Sequence, residues 1–225
     1  MISAVIFDID GTIVDSVDLH AKSWQVAFAE FGKDVSVAAI RKEIGKGADQ
    51  LLPVFFSKEE LDRFGEELDK YRGELFKREY LRQVKAFPRV RDLFKRINQD
   101  EKLIALASSA KKDELDTYKR IAAIEDLVET ESSSGDVERS KPHPDVFEVA
   151  LKRLGAIPDE VIVVGDTPYD AQAAGKLNLR VIGMLCGGWT ANQLQKAGCI
   201  ATYRDPAELL KCYDGSPITE VGRLQ

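Results

Sequence analysis

The strongest constraint on the fold of this chain is a series of short apolar runs, each followed by a segment with helical periodicity. "AVIF" at Ala4–Phe7, "LIALA" at Leu103–Ala107, "VIVV" at 161–164, "RVIGM" at Arg180–Met184 and "IATY" at 200–203 read as strands. Several are apolar almost without interruption, the pattern of strands covered on both faces. Amphipathic segments near 90–98, 111–124, Asp145–Leu154, 170–177 and 192–197 separate them. Such alternation implies βαβ units, so the expected fold is α/β with a doubly wound, Rossmann-like parallel sheet.

One stretch breaks the alternation. From Asp15 to Lys85 only helical pattern is present, with Val17, Ala21, Trp24, Phe28 and Phe31 on one face of a first helix. A second helix is expected around 37–44 and a long charged one around 58–80. The expected division is therefore a catalytic core of residues 1–14 and 86–225, with residues 15–85 as an inserted helical cap. Open parallel sheets bind ligands beyond the carboxyl ends of their strands, and an insertion directly after the first strand would cover that edge.

Chemistry-bearing residues collect at the strand ends. The first strand runs into Asp8-Ile9-Asp10-Gly11-Thr12, the second into Ser108 and Ser109, the third into Gly165-Asp166-Thr167 with Asp170 four residues on. Between the last two lies "RSKPHPD", where Lys141 precedes two prolines that stiffen the approach to a helix. Each residue has an ordinary structural reading. Asp10-Gly11 between β-rich runs is a hairpin signal, Ser108 and Ser109 could cap a helix, Asp166 and Asp170 could serve turns or caps, and Lys141 could be a surface lysine. Calcium binding of the EF-hand kind fails, because Ile13 and Leu19 stand where that loop needs glycine and glutamate. The ordinary readings do not explain why all four sites fall on one edge of one sheet.

Taken together, the four sites resemble the motifs of the haloacid-dehalogenase superfamily, in order and over nearly the whole chain: "DIDGT", Ser108, Lys141 and "GDTPYD". The helical stretch is similar to the small cap of the phosphoglycolate-phosphatase and β-phosphoglucomutase branch, and "LCGGWTANQLQKAGCIATYRDPAELL" to the C-terminal part of such phosphatases. The resemblance implies Asp8 as nucleophile, forming an aspartyl-phosphate that water then hydrolyses. It implies Asp10 as general acid and base. It also implies Mg²⁺ held by the side chains of Asp8 and Asp166 and the main-chain carbonyl of Asp10, with Asp170 in an outer position. Lys141 and the Ser108 hydroxyl would hold phosphoryl oxygens, with donors added by the backbone N–H groups of Gly11, Thr12 and Ser109. Asp10 separates branches. Halide-removing and phosphonoacetaldehyde-cleaving members lack it, and the transport ATPases carry a lysine-threonine pair after the nucleophile.

Substrate choice is expected from the cap. The loop "GKGADQ" places Lys46 between two glycines, and His20 and Trp24 lie one turn apart on the first cap helix. A plain interhelix turn, a cap-core tryptophan and, for His143, a loop position are the ordinary readings. The expected activity is a Mg²⁺-dependent phosphatase acting on a small phosphorylated metabolite. A β-phosphoglucomutase-like phosphomutase is the alternative: members of that type also carry a histidine at the position of His20, but their cap loop is expected to carry an arginine and here has Lys46. A catalytically idle phosphate-binding or regulatory protein on the same fold is the second alternative.

Composition narrows the partners. The 225 residues are 44% hydrophobic and 31% charged, an ordinary globular balance, and the net charge of −6 argues against nucleic-acid and anionic-membrane partners. No apolar run approaches the roughly 20 residues of a membrane span. The three cysteines match no zinc or redox spacing and read as free thiols in a reducing cytosol. A cytoplasmic protein, monomeric or weakly homo-oligomeric, is expected.

Overall fold

A computed structural model describes residues 1–220 of the chain. Six parallel strands form one sheet: β1 (Ala4–Phe7), β4 (Leu103–Ala107), β5 (Thr130–Ser132), β6 (Val161–Gly165), β7 (Arg180–Met184) and β8 (Cys199–Tyr203). Two further strands, β2 (Val14–Asp15) and β3 (Lys85–Ala86), make a separate antiparallel pair. The order across the large sheet is β5-β4-β1-β6-β7-β8. From β1 the chain builds outward to β4 and β5, then crosses back to place β6 on the other side of β1. The direction of winding therefore reverses between β1 and β6, the kind of crevice where open α/β sheets place ligands. The register Phe7↔Val164 brings the ends of those two strands level.

Both faces of the sheet are covered, as the continuous apolar runs require. Val5 and Phe7 face one hydrophobic layer with Phe94, Ile97, Leu115 and Tyr118, contributed by α5 (Val90–Gln99) and α6 (Lys112–Ala122). Ala4 and Ile6 face the other, with Val146, Phe147 and Ala150 of α7 (Asp145–Leu154) and Ala171 and Ala174 of α8 (Pro168–Gly175). The helix α9 (Ala191–Ala197) adds Leu194 to this second layer, and α10 (Pro206–Lys211) adds Leu209 to the first. Fully burying side chains of this size contributes about 1.5–3 kcal/mol each.

The inserted segment holds α1 (Val17–Glu30), α2 (Val37–Arg41), α3 (Ala48–Phe55) and α4 (Lys58–Leu75), which share a hydrophobic cluster of their own around Trp24, Phe28, Ile40, Leu51 and Leu68. The β2–β3 ladder ties together the two places where this segment leaves and rejoins the sheet. A capping box, Ser57 with Glu60, starts α4.

Two elements escape the sequence pattern. β5 is a three-residue edge strand of mostly polar sequence, "TES", held by pairing Ala105↔Thr130 and not by an apolar run of its own. α3 carries Pro53 inside it, a residue that removes a helical N–H and hides the helix from propensity. The long helix expected over 58–80 is α-helical to Leu75, and Phe76–Tyr80 form a π-helical turn. Such turns insert a residue into the helical ladder, and here Phe76 is fully buried with its ring stacked 4.1 Å from that of His20. Among the described residues no helix is long and apolar enough to cross a membrane.

Candidate active site

Asp8 follows β1 directly, and its N–H still pairs with the Val164 carbonyl at 2.9 Å, so the strand delivers it to the switch between β1 and β6. The chain then turns. The Ile9 carbonyl accepts from the N–H groups of Thr12, Ile13 and Val14, and Gly11 N–H donates to the Val14 carbonyl. Gly11 has φ +83°, and a Cβ there would lie 2.3 Å from Asp166 Oδ2. The glycine is required both by its conformation and by the carboxylate beside it. This turn corrects one expectation: the N–H groups of Gly11 and Thr12 are spent within the loop, so neither is a free donor for a phosphate. Thr12 acts through its side chain, whose hydroxyl lies 3.3 Å from both Asp8 Oδ2 and Asp166 Oδ1.

Lys141 is completely buried and closes the other side. Its Nζ lies 2.5 Å from Asp8 Oδ1, 3.0 Å from the Ala107 carbonyl and 2.7 Å from Asp170 Oδ1. Asp170 Oδ2 is occupied by the Thr167 N–H and hydroxyl, the capping box that starts α8. Asp170 therefore caps the helix, the ordinary reading of its position, and in addition faces the lysine. Its Lys141 contact is an ion pair without hydrogen-bond alignment.

Three carboxylates against one lysine leave an excess of negative charge. Burial, opposed by Lys141 and reinforced by Asp170 and Asp10, pushes the Asp8 carboxyl up to about 7. Burial and the neighbouring Asp8 and Asp170 charges push Asp166 well above its ordinary value. Burial works against the charge on Lys141, but Asp170 and Asp8 outweigh it and hold the ammonium protonated. Asp10 is different. Burial would raise it, but His20, the Ser16 hydroxyl and the Arg72 guanidinium more than offset that, holding it below the usual carboxylate range.

The surroundings of Asp10 come from far apart in the chain. Ser16 Oγ donates to Asp10 Oδ1 at 2.5 Å, and His20 Nε2 lies 2.8 Å from the same oxygen and 3.1 Å from the Tyr118 hydroxyl. His20 Nδ1 faces Arg72 Nη2. Arginine offers only donors, so Nδ1 accepts and the ring proton sits on Nε2, aimed at Asp10. Ser16, Arg72 and Tyr118 were not singled out by sequence. Only Ser16 had a local signal, its place just before α1.

The remaining expected residues lie nearby. Ser108 is buried at the end of β4, its N–H bound to the Ser132 carbonyl and its hydroxyl oxygen accepting from Ala110 N–H. Ser109 reaches across to the Gly45 carbonyl at 3.3 Å. Lys46 lines the cavity but pairs with Glu43 and lies 4.7 Å over the Tyr169 ring. Trp24 is buried in the cluster of the inserted helices and also lines the cavity, whereas His143 stays in its loop, its N–H on the Ser140 carbonyl. Further contacts hold the inserted segment over the sheet edge: Asp49 accepts from Ser140 N–H, the Tyr169 hydroxyl donates to the Lys42 carbonyl, and Arg41 donates to the Gly187 carbonyl. Between them lies a cavity of about 240 Å³ with Asp8 and Asp10 in its wall.

A parallel sheet with paired aspartates at its switch point and a buried lysine across from them is a hydrolase architecture, and the chain belongs to the haloacid dehalogenase-like hydrolases, whose family model matches residues 5–184. The enzyme reading drawn from the four strand-end motifs is thus borne out. Among similar proteins, a phosphorylated carbohydrates phosphatase of Thermotoga maritima is 26% identical over 92% of this chain and 96% of its own length. The pyrophosphatase PpaX of Oceanobacillus iheyensis is 26% identical over 80% of this chain and 81% of its own. A hydrolase from Pseudomonas syringae superposes with a TM-score of 0.87 at 27% identity, covering 95% of this chain and 98% of that one.

Proposed function

We propose that the chain is a Mg²⁺-dependent phosphatase of small phosphorylated metabolites, with residues 1–14 and 86–225 as catalytic core and 15–85 as a cap over its site. The observation that carries this reading is geometric: Asp8 and Asp10 stand in the wall of one cavity with different partners, Asp8 Oδ1 on the Lys141 ammonium and Asp10 Oδ1 on Ser16 and His20.

Asp8 is the nucleophile. Lys141 holds its Oδ1, leaving Oδ2 against only the long Thr12 contact, and attack on phosphorus gives an aspartyl-phosphate. Asp10 moves the protons. Its Oδ1 is fixed by Ser16 and His20, which leaves Oδ2 to exchange protons: because its surroundings favour the carboxylate, it takes up the proton that a monoester monoanion brings in, gives it to the leaving oxygen, and regains one from the attacking water. The Ser108 hydroxyl, the Lys141 ammonium and Ser109 N–H, which makes no hydrogen bond among the described residues, supply donors for the phosphoryl oxygens.

The residues fit a hard divalent cation. One carboxylate oxygen from each of Asp8, Asp166 and Asp170 lies within 4.8 Å of the others, and the buried Asp166 Oδ2 has no partner among the described residues. Asp8 and Asp166 would hold Mg²⁺, with Asp10 adding its carbonyl and Asp170 standing behind. The cation supplies charge that offsets the repulsion between carboxylate and phosphate.

The direct test is steady release of inorganic phosphate from an aryl phosphate. Turnover is expected to need Mg²⁺ and to stop with a chelator, and the absence of any release from a broad panel of phosphate esters would overturn the reading. Conversion of β-glucose 1-phosphate to glucose 6-phosphate, primed by a bisphosphate and faster than phosphate release, would replace phosphatase by mutase. Gly187 gives a test of the metal site. A Cβ at that position would lie 1.7 Å from Asp166 Oδ2, so Gly187→Ala must move the carboxylate. The variant should lose about 1–3 kcal/mol of stability through overpacking. It should also need more Mg²⁺ for a given rise in melting temperature, read from a Mg²⁺ titration of thermal unfolding.

A further inference from the structure

The turn that follows β7, closed by Gly188 N–H on the Leu185 carbonyl at 2.9 Å, separates Asp166 from the inserted helices by the thickness of its backbone. On one side lies Asp166 Oδ2, buried and without a partner among the described residues. A Cβ on Gly187 would collide with that oxygen, as would one on Gly11, so main chain itself forms the wall around it. Cys186 Sγ donates to the Gly11 carbonyl at 3.1 Å and ties the two glycine segments together.

Gly188 faces the other way. A Cβ there would lie 2.6 Å from Arg41 Nη1, and the residue has φ +96°. Arg41 ends α2 on the inserted segment, and its Nη2 donates to the Gly187 carbonyl at 3.0 Å. Asp18 of α1 holds the Nε of the same guanidinium at 2.6 Å. Both members of that ion pair belong to the insertion, so the pair aims the remaining N–H groups at the turn. A half-exposed ion pair adds little stability by itself. Its geometric effect reaches further, because Gly187 touches Arg41 through its carbonyl and Asp166 through its Cα.

We propose that Arg41 is a positioning residue for the metal site: it clamps the turn at 185–188 against Asp166, so that docking of α2 and binding of Mg²⁺ favour one another. The proposal rests on the reading of Asp8 and Asp166 as Mg²⁺ ligands and adds how the insertion acts on them. With the clamp in place, Gly187 holds Oδ2 ready for a cation; without it the turn can withdraw and the carboxylate relaxes toward water. Groups that orient a metal ligand commonly change affinity by about 10- to 100-fold, and one acting through a backbone segment should lie near the lower end.

Simple electrostatics predicts the opposite sign. A guanidinium near a cation site repels the cation, so its removal should tighten Mg²⁺ binding. Lysine separates the two effects. It keeps the charge, but its ammonium falls at the place of Cζ, where it reaches Asp18 and stops one atom short of Gly187.

The test measures Mg²⁺ affinity by calorimetric titration of chelator-treated protein in the wild type, Arg41→Lys, Arg41→Met and Tyr169→Phe. Thermal unfolding in chelator checks folding, and aryl phosphate turnover is followed in parallel. Tyr169→Phe removes the hydroxyl that donates to the Lys42 carbonyl, a neighbouring contact of the insertion that does not reach Gly187. Both Arg41 variants should raise the Mg²⁺ dissociation constant about 5- to 10-fold, whereas Tyr169→Phe should change it less than about twofold. Coupling is reciprocal, so Mg²⁺ should slow hydrogen exchange of the α2 amides in the wild type and leave it unchanged in Arg41→Lys. Equal or tighter Mg²⁺ binding in Arg41→Lys, or an equal loss in Tyr169→Phe, would overturn the clamp and leave the metal site standing. No Mg²⁺ binding by the wild type would overturn both. Weaker binding in the Arg41 variants, with no phosphate released from any ester, would support the clamp and remove the phosphatase reading.

Discussion

Asp8→Asn should lower phosphate release by at least about 10⁴-fold, because the amide keeps the shape of the side chain and removes the attacking oxygen. Retention of more than about one hundredth of wild-type turnover on an aryl phosphate would rule out Asp8 as nucleophile. The same substitution has a second, opposite signature. In metal-free protein the Asp8 carboxyl is pushed up to about 7 from an ordinary 3.8, so the fold favours its protonated form. The stability that form brings is complete below about pH 4 and is lost as pH rises through about 7. Asparagine is uncharged throughout and escapes that loss. In the presence of chelator, the melting temperature of Asp8→Asn should therefore gain on the wild type between about pH 4 and about pH 7. A variant that instead falls behind as pH rises would contradict the crowding of charge described here.

Lys141→Met is expected to destabilise the metal-free protein by about 3–5 kcal/mol, read from a denaturant midpoint. Methionine fills a similar volume, so little of the loss comes from packing. The cause is electrostatic: Asp8 and Asp170, at 2.5 Å and 2.7 Å from Nζ, are left buried without a counter-charge. Two outcomes follow from that cause. The loss should be smaller at low pH, where the carboxyls take up protons, and Mg²⁺ should restore part of it by replacing the missing positive charge. A loss under about 1 kcal/mol, insensitive to pH and Mg²⁺, would show that the lysine is not the counter-charge of this cluster.

The two substitutions act on one cluster from opposite sides, and both depend on residues that sequence alone could name. Asp8 and Asp166 were legible because each follows a strand end, and Lys141 because it stands just before two prolines that stiffen the approach to a helix; local pattern places such positions on a sheet edge. Five strands of the large sheet were legible for the same reason. β5 was not, because "TES" is held by the backbone of its neighbour. α3 was not, because Pro53 argues locally against a helix that Leu51 and Leu52 pack in place.

The company of Asp10 shows the limit most clearly. His20 is 10 residues away along the chain, and Tyr118 is 98 residues from His20. Arg72 sits on a long charged helix where nothing distinguishes it from its neighbours. Gly11 and Thr12 show the converse error, since their types matched a phosphate loop while their N–H groups had already been used to make the turn.

The residues by themselves determined the doubly wound sheet and the helical insertion, because periodicity is a local property of a chain, and placed Asp8 and Asp10 at a strand end; the reacting roles proposed for them come from the family resemblance. Tertiary structure alone decided the charge balance: one lysine between two aspartates and an arginine that fixes a histidine. Those depend on distances of a few ångströms between side chains far apart in sequence, where Coulomb interactions are strong and no local pattern records them.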